Sequence, residues 1–161
     1  MNVTTWGGLE LVLNAILLDA LNEVGEYVVG KMKFYIDKDI YGHMTPQDYT
    51  RTGDFLDSVV QDPAKIVRPG EVRVTVRHDV NSMSLDEENY THGSNYWNPT
   101  DIRKYLPEIL AFNGSGNLFG ESQKWHSRSN YWTDTLDALT ATGELRQVLR
   151  TALRKRGLTV K

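Results

Sequence analysis

Apolar residues recur along the start of the chain at Leu9, Leu13, Ile16, Ala20, Val24, Val28, Met32 and Tyr35, with Leu17 and Leu21 widening the stripe. That spacing predicts an amphipathic helix from Leu9 to about Tyr35, roughly 40 Å long at 1.5 Å per residue if unbroken. Gly25 and Gly30 fall inside it. Each lowers helix stability by about 1 kcal/mol relative to alanine, so a bend or break is expected there. A helix of this length can cross a sheet and still reach a neighbouring subunit, or have both ends covered by its own chain. Asp37 to Tyr49, a polar stretch holding Gly42 and Pro46, reads as a loop.

Tyr49 through Val60 then pass from a polar turn to a short apolar element. Thr52 is placed to cap a helix by accepting a backbone N–H, Gly53 adds no bulk at the turn, and Asp54 brings negative charge to the first helical turn. Phe55, Leu56 and Val59 share one face at helical spacing. Beyond them the period becomes two. Lys65-Ile66-Val67-Arg68 and Glu71 to Arg77 read as strands, with Val72, Val74 and Val76 on one face and Arg73, Thr75 and Arg77 on the other. Pro69-Gly70 favours a type II turn, whose twist suits a tight two-residue hairpin poorly, so a looser connection is expected.

Residues 78 to 100 show no sustained period and read as a long loop excursion. Tyr90, Tyr96 and Trp97 give it large, rigid contact area, for an interface or for packing on its own chain. Thr100 or Asp101 can cap a short helix around Leu106, Pro107, Ile109, Leu110 and Phe112, which Asn113-Gly114-Ser115-Gly116 stops. After Trp125, Tyr131 and Trp132, a final helical section from near Thr133 or Asp134 carries Leu136, Leu139, Leu145, Val148, Leu149, Ala152 and Leu153. It is interrupted at Thr142-Gly143, ends near Gly157 and is expected to pack on the sheet.

With 161 residues, 40% of them apolar, the chain reads as one domain over residues 1–161. There is no cysteine, which removes disulfides, thiolate metal sites and a cysteine nucleophile. The apolar run Ala15-Ile16-Leu17-Leu18 is far short of the roughly 20 residues that span a bilayer, so neither an anchor nor membrane contact is expected. The first nine residues carry no Lys or Arg, and a secretory signal is not expected either. Net charge is −3, unevenly placed. Residues 146–161 hold six basic and no acidic side chains, leaving twelve basic against twenty-one acidic, a net of −9, in residues 1–145. An acidic body opposes a general grip on DNA phosphates, while the basic end, with Arg150, Arg154 and Arg156, is a candidate contact for an acidic partner. The same arginines also suit a solvated helix face that complements the C-terminal dipole.

Residues at spacings that carry chemistry are few. His43, His78, His92 and His126 stand at no metal-ligand spacing, and His78-Asp79 would need distant residues to make a cation site. Asn113-Gly114-Ser115-Gly116 follows a helix-like segment and lacks the lysine of a phosphate loop. Glu87-Glu88 lies in a polar loop, where solvated charge is the simpler reading. No catalytic, cofactor-binding or metal residue is therefore assigned, and no enzymatic activity is expected.

The stretch containing Tyr49, Arg51, Thr52, Gly53, Leu56 and Ser58 resembles a family of phage structural proteins, the neck or tail-completion proteins of long-tailed bacteriophages. Val74 to Asp79, Asp101 to Leu110 and Trp125 to Thr135 resemble successive segments of the same family, in order, as found in viruses of Gram-positive hosts. The resemblance covers most of residues 10 to 157. It implies an α+β fold similar to tail-terminator proteins: a long N-terminal amphipathic helix, a small antiparallel sheet and a C-terminal helix. It further implies a non-enzymatic virion protein of the head–tail junction, made in the host cytoplasm and forming a ring with six-fold symmetry. Its partners would be further copies of itself, the connector or head-closure protein and the tail-tube or tail-terminator protein, with DNA passing through non-specifically. Two alternatives stay open on the residues alone: a cytosolic protein-binding module using the aromatic loop, and a metal-dependent hydrolase using His78, Asp79 and another histidine.

Overall fold

The computed structural model describes residues 5–42, 52–84, 106–108, 110–111 and 130–160. The fold is α+β, with a long N-terminal helix, a two-stranded antiparallel sheet and a C-terminal helical section. Helix α1 spans Trp6–Ile36 and is followed by a π-helical turn, Asp37–Tyr41. A single helical turn, α2 (Asp54–Asp57), leads into β1 (Val59–Arg68) and β2 (Glu71–His78), and a short 3-10 turn follows at Val80–Ser82. Residues 106–108 and 110–111 are helical, and the chain closes with α3 (Tyr131–Thr140) and α4 (Glu144–Lys155). These elements fall into two compact units: Met1–Gly30, Gln61–Val76 and Ala138–Lys161 in one, Lys31–Val60 and Arg77–Asp137 in the other. Among the described residues no helix is long and apolar enough to cross a membrane.

In the first unit, α4 packs on α1, where the sequence pattern had suggested the sheet. Ala20, Ala152 and Leu153 are buried together, with Ile16, Leu17, Leu149, Leu158 and Val160 against them. An apolar face fixes that a helix must be covered, and small residues at Ala20 and Ala152 let two helices approach closely enough to do it. Gly157, at φ +84°, ends α4 in a left-handed turn. Leu158 N–H then reaches back to Leu153 O (3.1 Å) and Gly157 N–H to Arg154 O (3.0 Å), which satisfies two of the carbonyls a helix end leaves open.

The expected break in α1 does not occur. Gly25 is buried in an unbroken helix, and a Cβ built there would lie 2.8 Å from Val74 Cγ2 of β2. Its role is to let the hairpin lie against α1. The hairpin is tighter and longer than the sequence suggested. Pro69-Gly70 alone joins the strands, with Gly70 at φ +78° as a type II turn requires, and β1 begins at Val59. Val72, Val74 and Val76 are half-buried, whereas Arg73, Thr75 and Arg77 are exposed, so the period-two reading of β2 stands. Asn22 of α1 accepts the Ala64 N–H of β1 at its Oδ1, 2.7 Å away.

In the second unit, Met32 and Ile36 at the end of α1 are buried, as are Phe55, Ser58, Val59, Met83, Ala111, Tyr131 and Thr135. The stretch from Asp37, read as loop, remains helical to Tyr41 with wider π geometry, and Gly42 N–H closes the turn on Asp37 O at 2.7 Å. The Tyr41 hydroxyl in turn accepts the Leu56 N–H (3.3 Å). Helix α3 starts at Tyr131, earlier than expected, because Asn130 Oδ1 accepts the N–H groups of Trp132 (3.0 Å) and Thr133 (3.3 Å). The interruption before α4 falls at Thr142 and Gly143 as the sequence indicated, with Gly143 at φ +68°.

The two helical glycines give opposite expectations. Gly30→Ala, where an added Cβ meets nothing within 4 Å, should raise the urea midpoint by the equivalent of about 0.5–1 kcal/mol. Gly25→Ala should lower it despite the same gain in helix propensity, because stiff, β-branched Val74 has to move.

Candidate functional site

A chain of part-buried hydrogen bonds is built on His78, at the end of β2. Its Nδ1 lies 2.7 Å from Ser58 Oγ and its Nε2 lies 3.2 Å from the Tyr131 hydroxyl. Ser58 also contacts the Phe55 carbonyl at 2.7 Å, and Tyr131 the Pro107 carbonyl at 3.1 Å. Phe55 stacks on the imidazole, with ring centroids 4.7 Å apart and planes 16° from parallel. Tyr131 meets both rings edge-on, at 5.8 Å from Phe55 and 6.0 Å from His78.

Local structure explains how these side chains arrive there. One turn of α2 buries Phe55 and ends at Ser58, whose backbone carbonyl takes the Asp79 N–H at 2.7 Å. That bond extends the pairing of the two strands by one step and sets His78 beside Ser58. Tyr131 opens α3, and Thr135 one turn later donates to its carbonyl at 2.6 Å. Burial drives the His78 pKa down from 6.5 to about 4, and pushes the Tyr131 hydroxyl well above its ordinary value. At neutral pH the ring is uncharged and the phenol is protonated.

The group does not have the shape of a nucleophilic site. Ser58 has no exposed surface, and a phenol occupies the position where a triad would have a carboxylate. Among the described residues no cation site forms at His78-Asp79, and His43, His92 and His126 lie outside them. Both ring nitrogens of His78 have partners, and Asp79 accepts the Asn81 N–H at the 3-10 turn (3.3 Å) and faces Arg77 at 3.8 Å. Among the described residues, no group of histidine and acidic side chains is arranged to hold a metal ion.

The motif residues around Ser58 support the turn. Gly53, at φ +86°, takes the capping position foreseen for Thr52. Thr52 Oγ1 instead accepts the Asp54 N–H at 3.3 Å, a weaker local contact. Asp54 accepts both the backbone N–H (2.9 Å) and the hydroxyl of Ser84, and that hydroxyl is the main reason its carboxyl titrates below the usual range. Leu56 is half-buried, and Val59 belongs to β1 rather than to a continued helical face. Tyr49 and Arg51 of the motif, and Tyr90, Tyr96 and Trp97 of the long loop, lie outside the described residues.

The basic end is largely engaged with its own chain. Arg156 donates to Glu23 Oε2 (2.9 Å), Ala152 O (2.8 Å) and Asp19 O (3.0 Å), and Lys155 reaches Glu23 Oε1 at 2.5 Å. Lys155 first and Arg156 second hold the Glu23 carboxyl below its ordinary pKa. Arg154 is exposed and donates to Val160 O at 3.0 Å, while Arg150 is half-buried on α4.

Sequence reasoning named Ser58 and His78 but did not join them, and it treated Tyr131 only as an aromatic at a helix entrance. A signal was present. The four segments that carried the resemblance each contribute one member of the group: Ser58, His78, Pro107 and Tyr131. Comparison with known proteins agrees on the class, a phage-associated protein. The chain belongs to the YomN family, a phage-derived family of Bacillus prophage, whose model matches residues 7–155. No curated protein and no solved structure matches it.

The depressed His78 pKa fixes the sign of a pH effect. The unfolded chain takes up the proton near pH 6.5 and the folded chain only near 4, so this contribution to stability is complete above 6.5 and is lost as pH falls toward 4. After discounting for the ring's residual exposure, the loss should be of order 2 kcal/mol. Urea unfolding at steps across that range should show a steeper fall for the wild type than for His78→Gln.

Proposed function

We propose that this phage-associated protein is a non-enzymatic structural subunit of the head–tail junction, assembling with copies of itself into a ring, six-fold by the resemblance. The ring joins the connector or head-closure protein to the tail-tube or tail-terminator protein. Family membership supplies the phage setting, and the observation that carries the structural role is the apolar surface at the start of α1. Trp6 is 87% exposed and Leu11 73%, with Leu9 exposed beside them. Large apolar side chains grouped on one helix end are what an assembly contact covers. Ile66 and Val67 near the hairpin turn add a second exposed apolar pair.

A heterologous contact, one patch meeting a different patch on the next copy, closes into a ring when the rotation per subunit divides a full turn. Modest single interfaces then add up around the circle. The excess of acidic side chains in residues 1–145 suits a passage that does not hold the phosphates of transiting DNA. Arg154, exposed on α4, and Arg150 are the basic-end candidates for an acidic neighbour, and Arg156 is held by Glu23 and two backbone carbonyls of its own subunit. On this reading the protein resides in the virion at the neck, and its chemistry is confined to recognition.

The test is assembly of the full chain, followed by native mass spectrometry and negative-stain imaging, alone and mixed with connector and tail proteins of the same phage. Ring-sized particles or a stable complex with either neighbour are expected. Trp6→Ser together with Leu11→Ser should reduce assembly at least tenfold while leaving the unfolding midpoint of the isolated subunit nearly unchanged. Normal virions from a phage lacking the gene would refute the proposal.

A further inference from the structure

The geometry points to His78 as a two-state hydrogen-bond relay, its neutral ring exchanging between Nδ1–H and Nε2–H forms and so coupling the turn at Phe55 and Ser58 to the helical residues at Pro107. The reason is a count of hydrogens. Four contacts lie in series: Phe55 O to Ser58 Oγ (2.7 Å), Ser58 Oγ to His78 Nδ1 (2.7 Å), His78 Nε2 to Tyr131 Oη (3.2 Å), and Tyr131 Oη to Pro107 O (3.1 Å). Each needs one hydrogen. Ser58 brings one, Tyr131 one and a neutral imidazole one, so three hydrogens serve four contacts.

Of the four ways to leave one contact unmade, two keep both buried ring nitrogens bonded, and these are the favoured arrangements. In the Nδ1–H form the ring donates to Ser58, Ser58 donates to the Phe55 carbonyl, and Tyr131 donates to Nε2, leaving the Pro107 carbonyl without the phenol. In the Nε2–H form the ring donates to Tyr131, Tyr131 donates to the Pro107 carbonyl, and Ser58 donates to Nδ1, leaving the Phe55 carbonyl without the hydroxyl. Both forms keep three contacts and release one backbone carbonyl. What is given up is the same kind of neutral bond in each case, so the two populations should lie within about tenfold of one another. The contact released in the Nδ1–H form is the longer, 3.1 Å against 2.7 Å, which makes that form the major one. A charged ring would fill all four contacts, but burial keeps His78 neutral at pH 7.

The coupling has a definite direction. Moving the helical residues 106–108 away from Tyr131 removes the advantage of the Nε2–H form, and Ser58 then stays on Phe55. Distorting the α2 turn so that Phe55 O leaves Ser58 does the reverse, and Tyr131 then stays on Pro107. A change on one side is thus read on the other through a single proton position, with no side chain changing place.

Side-chain nitrogen spectra of the full chain, ¹⁵N-labelled at histidine and recorded at pH 7, test this directly, with His78 assigned by its absence in H78Q. Exchange predicts that both wild-type His78 nitrogens resonate between the bare and protonated positions. Ser58→Ala should fix the ring as Nε2–H, and Tyr131→Phe should fix it as Nδ1–H. Averaged wild-type positions and opposite forms in the two variants support the relay. A wild-type ring held in one form, a ring charged at pH 7, or the same form in both variants overturns it, and the wild-type spectrum decides even if a variant does not fold.

Discussion

Removing an imidazole from water is unfavourable unless both ring nitrogens find partners, and the second unit is arranged around meeting that condition at His78. The partners come from separate parts of the chain: Ser58 from the end of α2 and Tyr131 from the start of α3, with Pro107 anchoring Tyr131 from behind. The two nitrogens are not both satisfied until both of these segments have arrived. A locally cheap residue thereby becomes a check on long-range structure, because a misplaced segment leaves a polar atom buried and unpaired. Phe55 completes the arrangement by covering one ring face, so the cluster is apolar in its surroundings and polar only along its line of hydrogen bonds.

The first unit is held by a different kind of contact. Two alanines, Ala20 and Ala152, let α1 and α4 meet, and the guanidinium of Arg156 then bridges back to Asp19 and Glu23 on α1 while also reaching its own helix at Ala152. One cation satisfies two backbone carbonyls and a carboxylate in a partly exposed setting, where an isolated ion pair would contribute little. Gly157 makes this possible, since its left-handed turn brings Leu158 and Val160 back over the small-residue contact. The basic end is thus mainly part of how its own helix is attached.

How much of this the amino-acid order revealed depends on the range of the interaction. The stripe from Leu9 to Tyr35 yields α1 nearly end to end, the alternation of Val72, Val74 and Val76 yields β2, and Thr142-Gly143 marks the break before α4, because each is a local periodicity or a local conformational need. Gly25 was misread because a glycine in a helix looks the same whether it bends the axis or admits a neighbour, and Val74 is far away in the chain. The polar letters of Asp37 to Tyr41 conceal a π-helical turn, since charge gives no period from which to read one. Val59 fits either the helical face of Phe55 and Leu56 or, with Val60, the start of β1, and the strand is what forms. The cluster at His78 was legible only as four separate resemblances, because no spacing rule joins Ser58 to Tyr131.

Asn22 has a bearing on what this hairpin can do in company. Pro63 has no N–H, and the N–H of Ala64 is taken by the Asn22 carboxamide. Neighbouring strand residues aim their backbone groups to opposite sides, so on the side that Ala64 faces this position has no donor left for an incoming peptide backbone. Open hairpins are prone to recruit extra strands, and here the Asn22 carboxamide opposes that growth at Ala64 of β1.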